Sequence, residues 1–191
     1  MPNPQDIAME LLDKFHPGSS DWQSTIKNKS FVYYTTAATA LEIIEKGELW
    51  FRNASVMNDY SEISYGLSFV DIALTKPEGE NFRKALDDVF PAFCERMLQN
   101  MRDTYYDLTF ETYISCVSVH DETENGMGRL SMWRAYGDVA LVLNSEPMAA
   151  DTNKLGVFSV PVAYISKEQF LTRLNHASDL IRERKNDLRP C

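Results

Sequence analysis

Apolar residues recur at helical spacing over residues 4–15, where Ile7, Leu11, Leu12 and Phe15 share one face. His16-Pro17-Gly18 ends that stretch, and residues 19–30 form a polar connection in which Trp22 is placed to anchor the chain to a core. The pattern then changes. Phe31–Tyr34 is a β-branched and aromatic run, which suits a strand. Thr35 or Thr36 is placed to cap a helix through its hydroxyl. Ala37, Ala38, Ala40, Leu41, Ile43 and Ile44 predict a packed face for that helix, and Gly47 ends it. Leu49–Asn53 alternates as a second strand, with Leu49 and Phe51 on one side and Trp50 and Arg52 on the other.

Ile63, Leu67, Val70 and Leu74 predict an amphipathic helix over about residues 60–74, stopping before Lys76-Pro77-Glu78-Gly79. Residues 80–105 carry a long helical pattern from Phe82 to Met101. Pro91 inside it kinks the helix or starts a new one. Tyr113–Val119 reads as a third strand, His120–Gly128 as an irregular, mobile acidic loop, and Leu130–Tyr136 as a short helix closed by Gly137. Val139–Leu143 does not alternate, which predicts a strand buried on both faces. Phe158–Tyr164 reads as a further strand, with Pro161 marking an edge or bulge. Ser166 and Gln169 form a capping box for a last helix that buries Phe170, Leu171, Leu174, Ala177 and Ile181.

Helices and strands are mixed without a regular strand–helix–strand alternation, so the fold class is α+β. The 191 residues suit one domain: an N-terminal helix and connection over 1–30, a core over 31–165 and a C-terminal helix over 166–191. A hydrophobic content of 44% with 12% aromatics is that of a globular chain. The formal charge of −9 argues against a broad nucleic-acid-binding surface, which needs clustered Lys and Arg. Cys94, Cys116 and Cys191 have neither disulfide nor metal spacing, and the first two are expected to be buried thiols. The polar first residues lack the features of a signal peptide, and no apolar run approaches the roughly 20 residues of a membrane span. A cytoplasmic protein with no membrane partner and no metal is expected.

Three groups carry candidate chemistry. In Asn58-Asp59-Tyr60-Ser61-Glu62, Asp59 and Glu62 fit a capping box, while the same turn could present Asn58, Asp59 or Glu62 to a ligand. Glu122 and Glu124, in a loop after a strand, either are solvated or do acid–base and oxocarbenium-stabilising work. Trp133, Arg134 and Tyr136 either pack and pair ordinarily, or hold a nucleotide: the ring stacks a base and the guanidinium meets phosphate. His120 with Ser118 is a weaker hydrolase arrangement, because nothing supplies an oxyanion hole.

The order of motifs adds a resemblance. Tyr33-Tyr34-Thr35, the Asn58–Glu62 turn, Ser115-Cys116-Val117-Ser118 and Met132–Gly137 follow one another before a strand. This resembles the bacterial domain of unknown function 2971 family over roughly residues 31–165. Tyr60 departs from the proline usual in the family turn, and the chain stops at Cys191 where members often continue. That family looks distantly related to the ADP-ribosyltransferase fold, which implies a bent, split, mixed or antiparallel β-sheet flanked by helices. It also implies NAD as substrate. Tyr34 and Thr35 would then face adenosine, Trp50 or Asn53 would border the nicotinamide pocket, and Arg52 or Arg134 would hold the pyrophosphate. Tyr34 and a carboxylate (Glu62 by the family motif, or Glu122 or Glu124 by loop chemistry) would be catalytic. The implied reaction cleaves the ribosyl–nicotinamide bond, as an ADP-ribosyltransferase or an NAD glycohydrolase, with protein, nucleic acid or water as acceptor. The alternative class is a non-catalytic nucleotide- or partner-binding module of a bacterial mobile-element or defence system.

Overall fold

The computed structural model describes residues 4–16, 21–57, 60–149, 157 and 159–188. In chain order these form α1 (Pro4–Phe15), α2 (Trp22–Ile26), β1 (Phe31–Thr35), α3 (Ala37–Lys46), β2 (Arg52–Asn53), α4 (Tyr60–Thr75), α5 (Glu80–Asp87) and α6 (Phe93–Phe110). Then come β3 (Tyr113–Ile114), β4 (Ser118–Val119), α7 (Leu130–Tyr136), β5 (Val139–Leu143), α8 (Glu146–Ala149), α9 (Lys167–Glu183) and α10 (Lys185–Leu188). The class is α+β, with antiparallel pairing throughout the described strands. Two compact units divide the chain, residues 1–21, 54–112 and 160–191 in the first and residues 22–53 and 113–159 in the second. This division crosses the expected 31–165 core.

The first unit is helical. Leu74, Ala85, Leu86, Val89, Cys94 and Ile181 form one buried cluster, and Phe69, Ala73, Phe170 and Leu174 form another. Phe69 and Phe170 stack with ring centroids 4.6 Å apart, which ties α4 to α9. The Ser166–Gln169 capping box is present at the start of α9. Pro91 neither kinks one helix nor opens the next. The pattern over 80–105 is broken between Asp87 and Phe93, with Ala92 at φ 57° and the Cys94 amide donating to Asp87 Oδ1 at 3.2 Å. Missing its N–H, proline cannot continue the ladder, and both helices still bury the same apolar stripe.

The expected strand around Pro161 is absent among the described residues. Residues 159–165 are irregular and leave Val160, Val162 and Tyr164 exposed. Phe158, its expected first residue, lies outside the described residues, as do Asn58, Asp59 and Cys191.

The second unit is built on β1, the centre of a three-stranded sheet ordered β4-β1-β5. Phe31, Val32, Tyr34 and Thr35 are buried there, and the edge of the Trp22 ring meets Phe31. Thr36 caps α3, accepting from the Thr39 amide, and Gly47 closes it at φ 67°. Only Ala40 and Ile43 of α3 are buried. Leu41 and Ile44 are exposed, because the helix packs on β5 through a narrow stripe.

Three expected strands are corrected. Leu49–Phe51 is irregular, so β2 is only two residues long, and Trp50 is exposed under the Lys46 ammonium. Tyr113–Val119 is not one strand. Its ends pair with different partners, β3 with β2 and β4 with β1, and residues 115–117 cross between them. β5 lies at a sheet edge, and Val142 is 55% exposed rather than buried on both faces. Cys116, expected to be buried, is exposed where the chain leaves the ladder.

Candidate functional site: a cleft on the β1–β5 face

Alternation on β1 sends Val32 and Tyr34 to the same face. The antiparallel register sets Val32 opposite Val142 and Tyr34 opposite Ala140. These four side chains form one wall of a cleft of about 250 Å³. Trp133 of α7 and the segment 120–128 complete it.

The aromatic part is fixed from several sides. Tyr34 and Trp133 meet edge to face, with centroids 4.8 Å apart and planes at 83°. The indole Nε1 donates to the Met127 carbonyl at 2.7 Å, and the Tyr34 hydroxyl accepts from the Arg129 amide at 2.9 Å. Accepting that bond leaves the phenol's own proton free to be donated. Two glycines make this approach feasible. Gly128 sits at φ 61°, where a Cβ would lie 2.7 Å from the Trp133 ring. Gly137, at φ 142°, would drive a Cβ to 2.3 Å from the Thr35 carbonyl oxygen.

The segment 120–128, expected to be an irregular loop, has defined local structure. The His120 amide donates to the Ser30 carbonyl. Asp121 caps a 3-10 turn over Glu122–Glu124, accepting from the Thr123 amide and hydroxyl at 2.8 and 2.6 Å. The Thr123 hydroxyl first, and then its backbone N–H, hold the Asp121 carboxyl below the usual range.

That turn points Glu124 inward, where Oε1 accepts from Arg129 Nε at 2.6 Å. Arg129 Nη2 also donates to the Val119 carbonyl, so one side chain ties the turn to the end of β4. Glu124 Oε2 is buried without a hydrogen-bond partner. His120 Nε2 lies 2.8 Å from Asn125 Oδ1, while its Nδ1 is also buried and unpartnered.

Of the candidate residues, Tyr34, His120, Glu124 and Trp133 line this one cleft. Ser118 stands opposite Val32 in the β4–β1 register but is not among the cleft-lining residues. Thr35 is buried on the opposite face of β1. Arg134 and Trp133 share a shallow depression with Gly137 and Asp138, and Tyr136 is exposed nearby on the same helix. Arg52 is exposed on β2 beside half-buried Asn53, and Glu122 is exposed on the 3-10 turn. Glu62 lies on α4 of the other unit, and its side chain is outside the described ones, as are Asn58 and Asp59.

Sequence reasoning missed Arg129 and Asn125. The available signal was local: Glu124, Asn125, Gly126 and Gly128 precede an Arg that opens a helix, which is what a folded turn with a charge clamp requires. No helix among the described residues is long and apolar enough to cross a membrane, and none of them form a group of three or more metal-ligating side chains. Comparison of the chain with known family models, with characterised proteins and with solved structures gives no match.

Proposed function

We propose that the cleft on the β1–β5 face binds the nicotinamide–ribose end of NAD and that Glu124 assists cleavage of the ribosyl–nicotinamide bond. The observation that carries this reading is one carboxylate oxygen, Glu124 Oε2, buried without a partner in a cleft lined by Tyr34 and Trp133. A buried polar atom is ordinarily satisfied, and an exception calls for a ligand, a water or a catalytic role. The aromatic rings supply an apolar platform for a flat ring. A carboxylate beside C1′ would stabilise the positive charge that develops as the C1′–N bond breaks and its electron pair leaves with nicotinamide. The cleft volume of about 250 Å³ is close to the lower end of ligand sites, roughly 300–1,000 Å³. It suits one end of a dinucleotide, leaving pyrophosphate and adenosine outside it, with Arg134 beside Trp133 as the candidate phosphate contact. The order of motifs that resembles the domain of unknown function 2971 family, which looks distantly related to the ADP-ribosyltransferase fold, points the same way.

Calorimetric titration with NAD, ADP-ribose and ATP tests the reading. Heat with NAD or ADP-ribose but not ATP supports it, and silence with all three refutes it. Given turnover, Glu124→Gln should lower kcat by about 10²–10³, whereas Glu62→Gln should leave it intact. A loss with Glu62→Gln alone moves the carboxylate role to α4.

One observation favours the non-catalytic alternative. Arg129 already neutralises Glu124 at 2.6 Å, which weakens the field the carboxylate can offer a growing cation. Binding of NAD or ADP-ribose without any consumption of NAD is the result that selects this nucleotide-binding module.

A further inference from the structure

We infer that His120 is the base of this cleft: its Nδ1 takes the proton from the nucleophile that ends the reaction. The inference rests on the NAD reading above and adds a residue and a step to it.

The argument is one of tautomer and burial. Asn125 Oδ1, 2.8 Å from His120 Nε2, can only accept. In the neutral ring Nε2 therefore carries the hydrogen, and Nδ1 holds the lone pair. That Nδ1 is buried with no partner, as is Glu124 Oε2, and both side chains line the same cleft. Two acceptors without protein partners in one small cleft suit a guest that brings donors. Ring orientation is held from both ends of the residue, by the side-chain bond to Asn125 and by the backbone bond from His120 N to the Ser30 carbonyl.

The step balances without a further reactant. The C1′–N bond breaks and its electrons leave with neutral nicotinamide. A water oxygen, or the hydroxyl of an acceptor, bonds to C1′ opposite the departing group. Its proton passes to His120 Nδ1, giving an imidazolium whose Nε2–H stays on Asn125 Oδ1. Loss of that proton to solvent restores the neutral ring.

The test uses the full chain, NAD and three measurements: the dissociation constant by calorimetry, nicotinamide release, and the pH profile of kcat. His120→Gln should keep the dissociation constant within about threefold and lower kcat by about 10²–10⁴. Asn125→Asp leaves His120 in place and sets a carboxylate against Nε2–H, which favours the imidazolium. The acid limb of the profile should then move to higher pH, by about one unit or more. The other titratable and charged groups of the cleft and its turn, Asp121, Glu124, Arg129 and Tyr34, are unchanged in that variant. If wild-type chain binds no NAD, the functional reading falls and this inference with it. If it binds NAD without consuming it, the cleavage step falls together with the base assignment; if it turns NAD over equally well as His120→Gln, or shows an unmoved acid limb as Asn125→Asp, the base assignment alone is overturned.

Discussion

Replacing Arg129 with Met keeps an apolar stem of similar reach and removes the guanidinium. Two hydrogen bonds are lost, one to Glu124 Oε1 at 2.6 Å and one to the Val119 carbonyl at 2.9 Å. The backbone bond from Arg129 to Tyr34 survives, since it uses the amide. A hydrogen bond to a charged group contributes roughly 1.5–3 kcal/mol and a neutral one about 1 kcal/mol. The pair is only partly shielded, with Arg129 39% and Glu124 19% exposed at their side chains, so solvent screening reduces the sum. Against that, Glu124 would be left with neither oxygen bonded by a protein group. We expect a loss of about 2 kcal/mol, read as a lower urea midpoint at unchanged slope. Glu124→Gln should cost less than about 1 kcal/mol, since the amide oxygen can still accept from Arg129. In the double variant the two changes should not add: the cycle should give a coupling of about 1 kcal/mol. Additivity within about 0.3 kcal/mol, or an Arg129→Met midpoint equal to that of the parent, would refute the claim that Arg129 clamps the turn.

Gly137→Ala should be among the most damaging single-methyl changes, because the added carbon meets the Thr35 carbonyl at 2.3 Å and φ is 142°; an unchanged melting temperature contradicts the close approach. Leu174→Ala, at a side chain 1% exposed between α9 and the Phe69–Phe170 stack, should cost about 2–5 kcal/mol by denaturant titration. Ser166→Ala removes one side of the α9 capping box and should cost about 1 kcal/mol, while Ser166→Asp should restore most of it. Burial, then the Asp87 charge, push the Cys94 thiol up to about 11. The unfolded thiol ionises first as pH rises, so this contribution to stability is complete below about pH 8.5 and is lost between there and about pH 11. A Cys94→Ala variant should show a flatter decline over that window, and in the parent a thiol reagent at pH 8 should modify exposed Cys116 well before Cys94.

Local chemistry made the helices and their ends legible. Ser166 with Gln169, Thr36 with Gly47, and Gly137 after Tyr136 each act within a few residues, and each stands where the spacing puts it. The strands were less readable, because pairing is not a local property. Tyr113–Val119 alternates as one strand should, yet its two ends serve different sheets. Val139–Leu143 looks doubly buried by composition, but the order β4-β1-β5 gives it one neighbour. Among the site residues, the Tyr33-Tyr34 and Met132-Trp133 motifs marked the two aromatic positions. Their contact depends on a register of Tyr34 against Ala140 that no local pattern encodes. The charge clamp was hidden for the same reason. Glu124 and Arg129 are five apart across the end of a 3-10 turn, where no α-helical or strand period says they meet.

The cleft therefore combines a rigid part and a less constrained part. Trp133 is held between two positions where a side chain cannot fit, Gly128 before its helix and Gly137 after it, and its ring is pinned on Tyr34 and on the Met127 carbonyl. Glu124 and His120 stand on a segment whose tip is open to solvent, with Met127 88% exposed. That segment is held by side-chain bonds: Asp121 to Thr123, Glu124 to Arg129 and His120 to Asn125. These are side-chain polar contacts that a ligand group can replace, whereas the aromatic contact is bounded by backbone. A flat ring should therefore dock without rearranging the β1–α7 side, and the ordering cost of binding should fall on residues 120–128. Amide hydrogen exchange reads this directly. Saturating NAD should slow exchange at Thr123, Glu124, Asn125 and Gly128 while leaving Val32, Tyr34 and Ala140 unchanged. Uniform protection across β1 and β5 would instead mean that the sheet itself is loose before binding, and the division between a rigid β1–α7 side and an adaptable segment 120–128 would be wrong.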